Sequence, residues 1–303
     1  MRLSNNSSKR QRISSLNVSI TSPRDFHRRE GGLRASGALR EKSEPYKPLV
    51  TIVTVVYNDK EHIEQTIESV LAQTYDNIEY IVIDAASTDG TLDVIRAYGD
   101  KISYWVSEPD NGIYDAMNKG ISAATGEWIN FMNAGDALKQ PETVASVFKN
   151  ADPVADLIYG HQEVVYNHDF TVVKKARPVK DIWKGNICRH QSLFIRTVLM
   201  KDRPFDISYK ICADFDFALY AFMHGRRFYN CDQIIARIST GGFSDTNQLP
   251  GNKESWRIAR RHMNTIKVNA YYAWLHLSTA CKLAVKRIIP AKLTQAIIAL
   301  KSK

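Results

Sequence analysis

The sequence predicts an α/β fold in which helices flank a Rossmann-like, mostly parallel central sheet and further helices follow at the C-terminal end. The first observation is an alternation of β-branched apolar runs with runs of helical spacing between residues 48 and 140. The second is composition: of 303 residues, 44% are hydrophobic and 24% charged, which is ordinary for a protein with a buried core. The third is that the four cysteines show no metal-binding spacing, which favours a reduced cytoplasmic setting over a disulfide scaffold.

The elements of the predicted sheet follow one another in order. "PLVTIVTVVYN" (48–58) has the composition of a buried parallel strand, and "DKEHIEQTIESVLAQT" after it has helical spacing. Three further strands are predicted at "IEYIVIDA" (78–85), "KISYWVS" (101–107) and "EWINFMN" (127–133). The segments between them, "TDGTLDVIRAYGD" and "GIYDAMNKGISAATG", predict helices, the first with Thr88 or Asp89 as a candidate N-cap.

After residue 140 the pattern is mixed. Strands are predicted at "DLIYGHQEVVY", "HQSLFIR" (190–196) and "RRFYNCDQIIARIS", and helices at "PETVASVFKN" and "DFDFALYAFMHG" (214–225). One long helix is expected over residues 252–275, with "LSTACKLAVKRI" continuing beyond it up to Pro290.

Charge divides the chain into three parts. Residues 1–48 carry 11 Lys and Arg against 4 Asp and Glu, and residues 251–303 carry 11 against 1, whereas residues 49–250 carry 19 against 27. We therefore expect a disordered basic extension (1–47), a catalytic domain (48–250) and basic amphipathic C-terminal helices (251–303). Basic ends around an acidic body favour an anionic membrane surface as partner and disfavour nucleic acid. The alternatives are a solvated N-terminal tail and a C-terminal helix packed on the catalytic domain.

Polar residues follow the predicted strands where each one ends. Tyr57 and Asn58 end the first strand and Asp84 ends the second, while Asp110 stands in "SEPDNG" at the end of the third and "NAGD" (133–136) ends the fourth. Ligands bind at the carboxyl edge of an open α/β sheet, although each residue alone also suits a turn. Neither G-x-G-x-x-G nor a P-loop motif occurs. The pattern favours a nucleotide whose diphosphate charge is offset by Mg²⁺ or Mn²⁺.

These segments together resemble glycosyltransferase family 2, with its GT-A fold, over roughly residues 49–245. The resemblance rests on "VTIVTVVYN", "SVLAQTYDNIEYIVIDAASTDGT", "SEPDNGIYDAMNKGISAATGEWINFMNAGD", "HQSLFIR" and "YKICADFDFALYAF" followed by "GG". It looks closest to bacterial enzymes that build exopolysaccharide, colanic-acid-like or O-antigen repeat units. The resemblance implies an inverting, metal-dependent transfer from a nucleotide-sugar donor to a glycan acceptor, linked to polyprenyl diphosphate or otherwise presented, by an enzyme peripheral at the inner face of the cytoplasmic membrane.

The resemblance also implies roles for matching residues. Asp136 matches the metal ligand of the family's DxD site, but Asn133 and Gly135 stand where carboxylates are common. Asp214 matches the catalytic base, which takes the acceptor's hydroxyl proton. Asp216 is the alternative base, and a plain helix cap is the structural alternative for Asp214.

Further matching positions are expected at the nucleotide, the diphosphate or the acceptor. Asp84 would contact the base, while helix capping explains Asp89 equally well. His190 and Gln191 would lie near the diphosphate or acceptor, with a histidine bonded to backbone as the alternative. The remaining candidates are Tyr57, Asn58, Asp110, Asn133 and Lys119, the last of which also suits a solvated helix face.

The lean "NAGD" motif keeps a second function open, namely a catalytically weak or inactive relative that binds nucleotide sugars or glycans. A nucleotidyltransferase is disfavoured because no Gly-rich phosphate loop occurs near the first strand. The donor sugar, the acceptor and the linkage depend on loops whose shape the sequence does not predict.

Overall fold

The computed structural model describes residues 28–37, 47–167 and 170–288. Within these residues ten strands form one sheet. Their bounds are β1 (Arg29–Gly31), β2 (Val50–Val56), β3 (Ile78–Asp84), β4 (Tyr104–Ser107), β5 (Trp128–Phe131), β6 (Ala137–Leu138), β7 (Leu157–Asn167), β8 (Phe170–Lys174), β9 (Leu193–Arg196) and β10 (Phe228–Ser239).

Nine α-helices occur in the same residues: α1 (Lys60–Leu71), α2 (Thr91–Ala97), α3 (Ile113–Ala123), α4 (Thr143–Lys149), α5 (Thr197–Asp202), α6 (Ala213–Met223), α7 (Phe243–Thr246), α8 (Gln248–His262) and α9 (Ile266–Ile288). Two 3₁₀ helices span Val179–Lys184 and His190–Ser192. None of the helices described is long and apolar enough to span a membrane.

The sheet is parallel at its centre and mixed beyond it. The strand order is β1-β4-β3-β2-β5-β9-β7-β10-β6, with β8 paired to β7. Strands β4, β3, β2 and β5 are parallel, as are β7 and β10, whereas β9 is antiparallel to both β5 and β7. The four strands predicted before residue 140 are thus confirmed and make up the parallel centre.

The connection between these strands creates the crevice in which a ligand can bind. The chain adds β3 and then β4 on one side of β2, and then returns to add β5 on the other side. Neighbouring strands whose connections leave in opposite directions open a gap at their carboxyl ends. Every residue of β2 is buried, which fits its β-branched sequence and a position between two layers of helices.

Two apolar cores lie on the two faces of the sheet. One joins alternate residues of the central strands, such as Val53 and Phe131, to α3 and α6 through Met117 and Phe215. The other joins the intervening residues, such as Ile52, to α1. This layering holds the carboxyl ends of β2 and β5 rigidly in place.

The C-terminal region is a helical hairpin and not the single long helix expected over residues 252–275. Helix α8 ends at His262 and α9 begins at Ile266, after a short break. Thr265 supplies a capping contact, because its Oγ1 accepts a hydrogen bond of 3.2 Å from the Val268 amide. The hairpin is closed by Asn252 Nδ2, which donates to Thr279 Oγ1 at 2.9 Å.

Residues 28–37 correct part of the expectation that residues 1–47 are disordered. Strand β1 pairs antiparallel with β4, with Arg29 opposite Ser107 and Gly31 opposite Trp105. The Arg34 guanidinium then forms an ion pair with Glu79 and donates to the Ala123 carbonyl at 2.8 Å. The rest of that expectation, residues 1–27 and 38–46, lies outside the described residues.

Arg34 is the cationic partner of Glu79, a carboxylate in the interior of the sheet. Glu79 is fully buried in β3. It accepts hydrogen bonds from Thr51 Oγ1 at 2.6 Å and from the Thr125 amide at 2.7 Å. A buried carboxylate stays in the fold only when it is paired and hydrogen-bonded, so Arg34 ties the N-terminal segment to the core.

We expect Arg34→Ala to lower the free energy of unfolding by about 2–3 kcal/mol, because it leaves a buried carboxylate without its cation. Urea unfolding followed by circular dichroism measures the change. Arg28→Ala is the matched control, since Arg28 pairs with Glu30 on the surface and such pairs contribute about 0–1 kcal/mol. Equal losses in the two variants would contradict a tethering role for Arg34.

Candidate active site

Two adjoining cavities open at the carboxyl edge of the parallel strands. The first, of about 600 Å³, lies between the end of β2 and the start of α3. The second, of about 730 Å³, extends from the turn after β5 to the start of α6. Both are lined by Asp59, Tyr114, Asn133, Lys210 and Phe243, so they form one continuous cleft.

The turn after β5 brings Asp136 to this cleft. Gly135 takes the left-handed conformation (φ +85°), which a residue without a Cβ adopts at little cost. Thr66 of α1 fixes the turn, because its Oγ1 accepts from the Gly135 amide at 3.0 Å and donates to the Asp136 carbonyl at 2.7 Å. The strand therefore stops where the sequence predicted, with its acidic residue at the edge of the sheet.

The Asp136 carboxylate is only 7% exposed and binds two distant segments. Gln191 Nε2 donates to Oδ2 at 2.6 Å, and the Ser239 amide donates to Oδ1 at 3.1 Å. Burial raises the pKa of Asp136 to about 6, against the lowering effect of these two hydrogen bonds. The predicted partner Gln191 thus contacts the predicted metal ligand directly.

The surroundings of Asp136 fit a divalent cation that takes most of its ligands from elsewhere. Asn133 Oδ1 and Gln191 Oε1 are buried without a hydrogen-bond partner, and both residues line the same cavity as Asp136. Among the described residues, no three His, Cys, Asp or Glu side chains cluster to hold an ion. One carboxylate and amide oxygens suit Mg²⁺ or Mn²⁺, which also bind phosphate and water.

Asp214 lies in the first turn of α6 and faces the same cleft. Its Oδ1 accepts a hydrogen bond from Tyr114 Oη at 3.0 Å, and its Oδ2 accepts one from Asn186 Nδ2 at 2.7 Å. His190 Nδ1 lies 3.7 Å from Oδ2. Burial raises the pKa of Asp214, but the His190 imidazole and the Tyr114 hydroxyl outweigh burial, so this pKa lies below its usual value. The carboxylate is therefore held ionised.

Asp216 does not lie in the cleft, which contradicts its role as the alternative base. It is fully buried, with Oδ2 2.6 Å from Arg203 Nη2 and Oδ1 3.5 Å from His262 Nε2. Two residues along a helix rotate a side chain by about 200°. Asp216 therefore fixes α6 to its neighbours while Asp214 faces the ligand side.

Three of the predicted nucleotide contacts make hydrogen bonds within the fold and do not line either cavity. Asn58 has a left-handed backbone (φ +47°), and its Oδ1 accepts from the Thr88 amide at 2.8 Å. Asp84 is fully buried and accepts from Ser107 Oγ at 2.6 Å. Asp89 accepts from the Thr91 hydroxyl at 2.6 Å and from the Thr91 amide at 2.9 Å, and the bond from this hydroxyl is the main cause that lowers its pKa to about 2. The N-cap of α2 is Gly90 and not the predicted Thr88 or Asp89, so Asp89 binds the start of the helix from one residue outside it.

Of the remaining predicted residues, Tyr57 and Asp110 line the first cavity. Asp110 Oδ1 accepts from the Gly112 amide at 2.8 Å, and burial raises the pKa of Asp110. Lys119 instead donates to the Pro109 carbonyl at 2.6 Å and lies 3.0 Å from Glu108. It is used within the fold, and the structure gives no support to the phosphate role considered for it.

Two residues that line the cleft, Tyr114 and Asp59, were not predicted from the sequence. Tyr114 follows the "PDNG" turn, and its hydroxyl also lies 2.7 Å from the Ile211 carbonyl, so Asp214 and this carbonyl share its single proton. Asp59 lines both cavities and pairs with His62 Nδ1 at 2.5 Å. Only their position in the sequence could have indicated a role at the site, since both residues follow strand ends that face one edge of the sheet.

Known proteins resemble this chain in sequence. A family model described as Glycosyl transferase family 2 matches residues 51–213. A PGL/p-HBAD biosynthesis glycosyltransferase of Mycobacterium bovis is 30% identical over 181 residues, covering 58% of this chain and 70% of that protein. An uncharacterized glycosyltransferase of Mycobacterium tuberculosis is 33% identical over 183 residues, covering 57% and 69%.

Solved structures share the fold. A mannosyltransferase from Pyrobaculum calidifontis, in complex with GDP-Man and Mn²⁺, superposes with a TM-score of 0.60 at 19% identity, covering 88% of this chain and 84% of that one. S. aureus TarS 1–349 with UDP-GlcNAc superposes with a TM-score of 0.57 at 18% identity, covering 75% and 70%. At these identities the likeness concerns the fold alone, and it confirms the GT-A fold expected from the sequence.

The raised pKa of Asp136 predicts a pH-dependent cost in stability. An ordinary Asp pKa is 3.8 and that of Asp136 is about 6, so between these values the folded protein keeps a proton that the unfolded chain has released. Stability therefore falls as pH rises through this window, and the loss stays above it. A difference of roughly two units corresponds to about 3 kcal/mol.

We expect Asp136→Asn to raise the free energy of unfolding of the ligand-free protein by up to about 3 kcal/mol at pH 8, and not at pH 4. Rotation of the Gln191 amide would let its free Oε1 accept from the new side chain. Urea unfolding at both pH values tests this, with Asp202→Asn at an exposed position as control. A gain that is the same at both pH values would refute the cost assigned to the charge.

Proposed function

The chain belongs to glycosyl transferase family 2, and on that premise we propose that it is an inverting, metal-dependent enzyme that moves a sugar from a nucleotide-sugar donor to a glycan acceptor. The observation that carries the proposal is the pair Asp136 and Asp214, which line one cleft in different environments. Asp136 lies among unpartnered oxygens, as a ligand-binding group would. Asp214 is held ionised by the His190 imidazole and the Tyr114 hydroxyl, as a base would be.

The donor is proposed to lie along the cleft from the first cavity to the second. The nucleoside would occupy the cavity beside Tyr57 and Asp110, and the diphosphate would reach Asn133 and Asp136. When bound, Mg²⁺ or Mn²⁺ held by Asp136, with Asn133 and Gln191 beside it, would offset the negative charge of the departing diphosphate. The resemblance to a structure containing GDP-Man and Mn²⁺ supports this arrangement.

Asp214 is proposed to act on the acceptor. Its carboxylate takes the proton of an acceptor hydroxyl as that oxygen bonds to the anomeric carbon and the bond to the diphosphate breaks on the opposite face. Tyr114 and Asn186 each donate to a different carboxylate oxygen, which fixes the plane of the group. A base in this position inverts the configuration at the anomeric carbon.

The acceptor is proposed to be a glycan linked to polyprenyl diphosphate at the inner face of the cytoplasmic membrane, in the synthesis of a surface polysaccharide. The basic C-terminal region supports this, because residues 251–303 carry 11 Lys and Arg against 1 acidic residue. Such a surface is attracted to anionic lipid. The donor sugar and its nucleotide are left to experiment.

A relative that binds nucleotide sugars without transferring them is the second candidate. The observation that favours it is the single carboxylate of the "NAGD" turn, without a cluster of three ionisable metal ligands in the described residues. Binding without turnover, in the presence of metal and acceptor, would support this candidate.

We expect Asp214→Asn to lower the rate of sugar transfer by roughly 10²–10⁴-fold while leaving donor binding and the melting temperature nearly unchanged, because only the proton acceptor is lost. Transfer of a radiolabelled sugar measures the rate. Asp202→Asn should retain full activity, and Asp216→Asn should lower the melting temperature because it breaks buried contacts. Near-normal transfer by Asp214→Asn would refute the assigned base.

A thermal-shift screen of nucleotide sugars, each with and without Mn²⁺, would identify the donor and test the metal. A ligand at 100 times its Kd adds about 2.7 kcal/mol of stability, enough to raise Tm by several degrees. We expect Mn²⁺ to enlarge the shift for the correct donor and Asp136→Ala to abolish that enlargement. An enlargement that survives in Asp136→Ala would place the cation elsewhere.

A further inference from the structure

Helix α9 has two apolar faces, of which one is packed against other residues that the structure describes. Val268 and Tyr272 are buried and pack with Ala259 of α8. On the opposite side, Ile266 is 90% exposed, Trp274 61% and Leu277 66%. Exposed aromatic and aliphatic side chains on one helix mark a surface that meets an apolar partner.

The exposed residues form a continuous stripe. Their spacing along the sequence is one, three or four residues. They therefore occupy one arc of the helix surface, roughly 120° wide. We call this set the α9 stripe, and it consists of Ile266, Ala270, Ala273, Trp274, Leu277, Cys281, Ala284 and Val285, all of them exposed.

The surroundings of the stripe are positively charged. Lys267 and Lys282 lie beside it, and α9 contains no Asp or Glu. On α8, a cavity of about 420 Å³ is lined by a group of mainly cationic residues, which we call the basic cavity: Lys253, Trp256, Arg257, Arg260, Arg261 and Asn264. In the part of the chain that the structure describes, Arg261 alone of these cations approaches an acid, with Asp206 at 3.9 Å.

The basic cavity adjoins the start of the stripe. Asn264 lines the cavity, and its Oδ1 accepts a hydrogen bond from Asn269 Nδ2 of α9 at 3.1 Å. Ile266 begins the stripe two residues further on. A group of cations and an apolar helix face thus meet where α8 passes into α9.

We propose that the α9 stripe and the basic cavity form one docking face for a bilayer that contains anionic lipid. The stripe lies at the boundary between headgroups and acyl chains, and the cations of the cavity bind headgroup phosphates. Charge complementarity selects this partner, because a second copy of the chain would bring Lys267, Lys282 and the cavity's cations against like charges.

The proposal rests on the proposed function and places the bilayer one helix away from the cleft. Helix α8 joins the two surfaces, since Gly251, Asn252 and Ser255 line the catalytic cavity while Lys253 and Arg257 line the basic cavity. At about 100° per residue these two sets lie on opposite faces of α8, so the acceptor's sugar would have to pass this helix to enter the cleft.

Vesicle sedimentation of the full chain tests the docking face. We expect binding to phosphatidylcholine vesicles that contain phosphatidylglycerol, and little binding to phosphatidylcholine alone. Trp274→Ser/Leu277→Ser should weaken binding by roughly tenfold or more, because two exposed apolar anchors are lost. Lys253→Gln/Arg260→Gln should weaken it about fivefold per charge and reduce its sensitivity to salt. Val198→Ser/Lys201→Gln, on the exposed side of α5, is the matched control and should bind normally.

Unchanged vesicle binding by both test variants, or no binding by the wild type, would overturn the docking face. Sedimentation velocity adds a second check, because a wild-type dimer that Trp274→Ser/Leu277→Ser converts to monomer would make the stripe an interface between copies and also overturn it. Saturable binding of an acidic protein to the stripe, without binding of vesicles, would also overturn the docking face.

Donor thermal shift and sugar transfer to a water-soluble acceptor are measured on the same samples. A wild type that transfers sugar to the soluble acceptor but does not bind vesicles refutes the docking face alone, and a wild type that binds vesicles but transfers no sugar refutes the proposed function alone.

Discussion

The rest of the molecule is organised around the buried carboxylate of Asp136. Its two oxygens accept hydrogen bonds from Gln191 and from the Ser239 amide, and its carbonyl accepts one from Thr66. One residue therefore joins the parallel strands, the segment before β9, the end of β10 and helix α1. The cost is a charge kept away from water, which the raised pKa of this group records. Burial of this charge at a strand end is unfavourable, but it leaves the Asp136 carboxylate available to bind a cation or a phosphate group.

The pKa of the second carboxylate of the cleft, Asp214, is shifted in the opposite direction. Asp214 is also largely buried, yet neutral donors and a nearby imidazole keep its pKa low. Two acids of the same chemistry thus differ in their readiness to lose a proton because their neighbours differ. The difference matches a division of work in which one group handles the donor's charge and the other handles the acceptor's proton. Helix α6 supports this division by placing Asp214 towards the cleft and Asp216 towards Arg203 and His262.

The sequence predicted the features that depend on local patterns and on strand order. The parallel centre of the sheet and the acidic turn at Asp136 follow from apolar runs that end in polar residues at one edge, whereas Asp214 was indicated by the resemblance to the family. The pattern could not separate Asp214 from Asp216, because the direction of a side chain on a helix depends on what packs around it. Lys119 and Asp89 were ambiguous for a related reason, since phosphate, a carbonyl or a helix end attracts the same groups. The break between α8 and α9 was missed because apolar spacing continues across it.

The N-terminal segment contains a short strand, β1, that the weak local sequence pattern did not predict. Strand β1 is three residues long, and it begins beside Arg28 and contains Arg29 and Glu30. It covers the side of β4 that would otherwise present unpaired amides and carbonyls to other molecules. Short, charged outer strands of this kind discourage sheets from joining edge to edge. The family match begins at residue 51. The part of the chain ahead of it therefore bears on whether the protein remains dispersed at high concentration, a property separate from its chemistry.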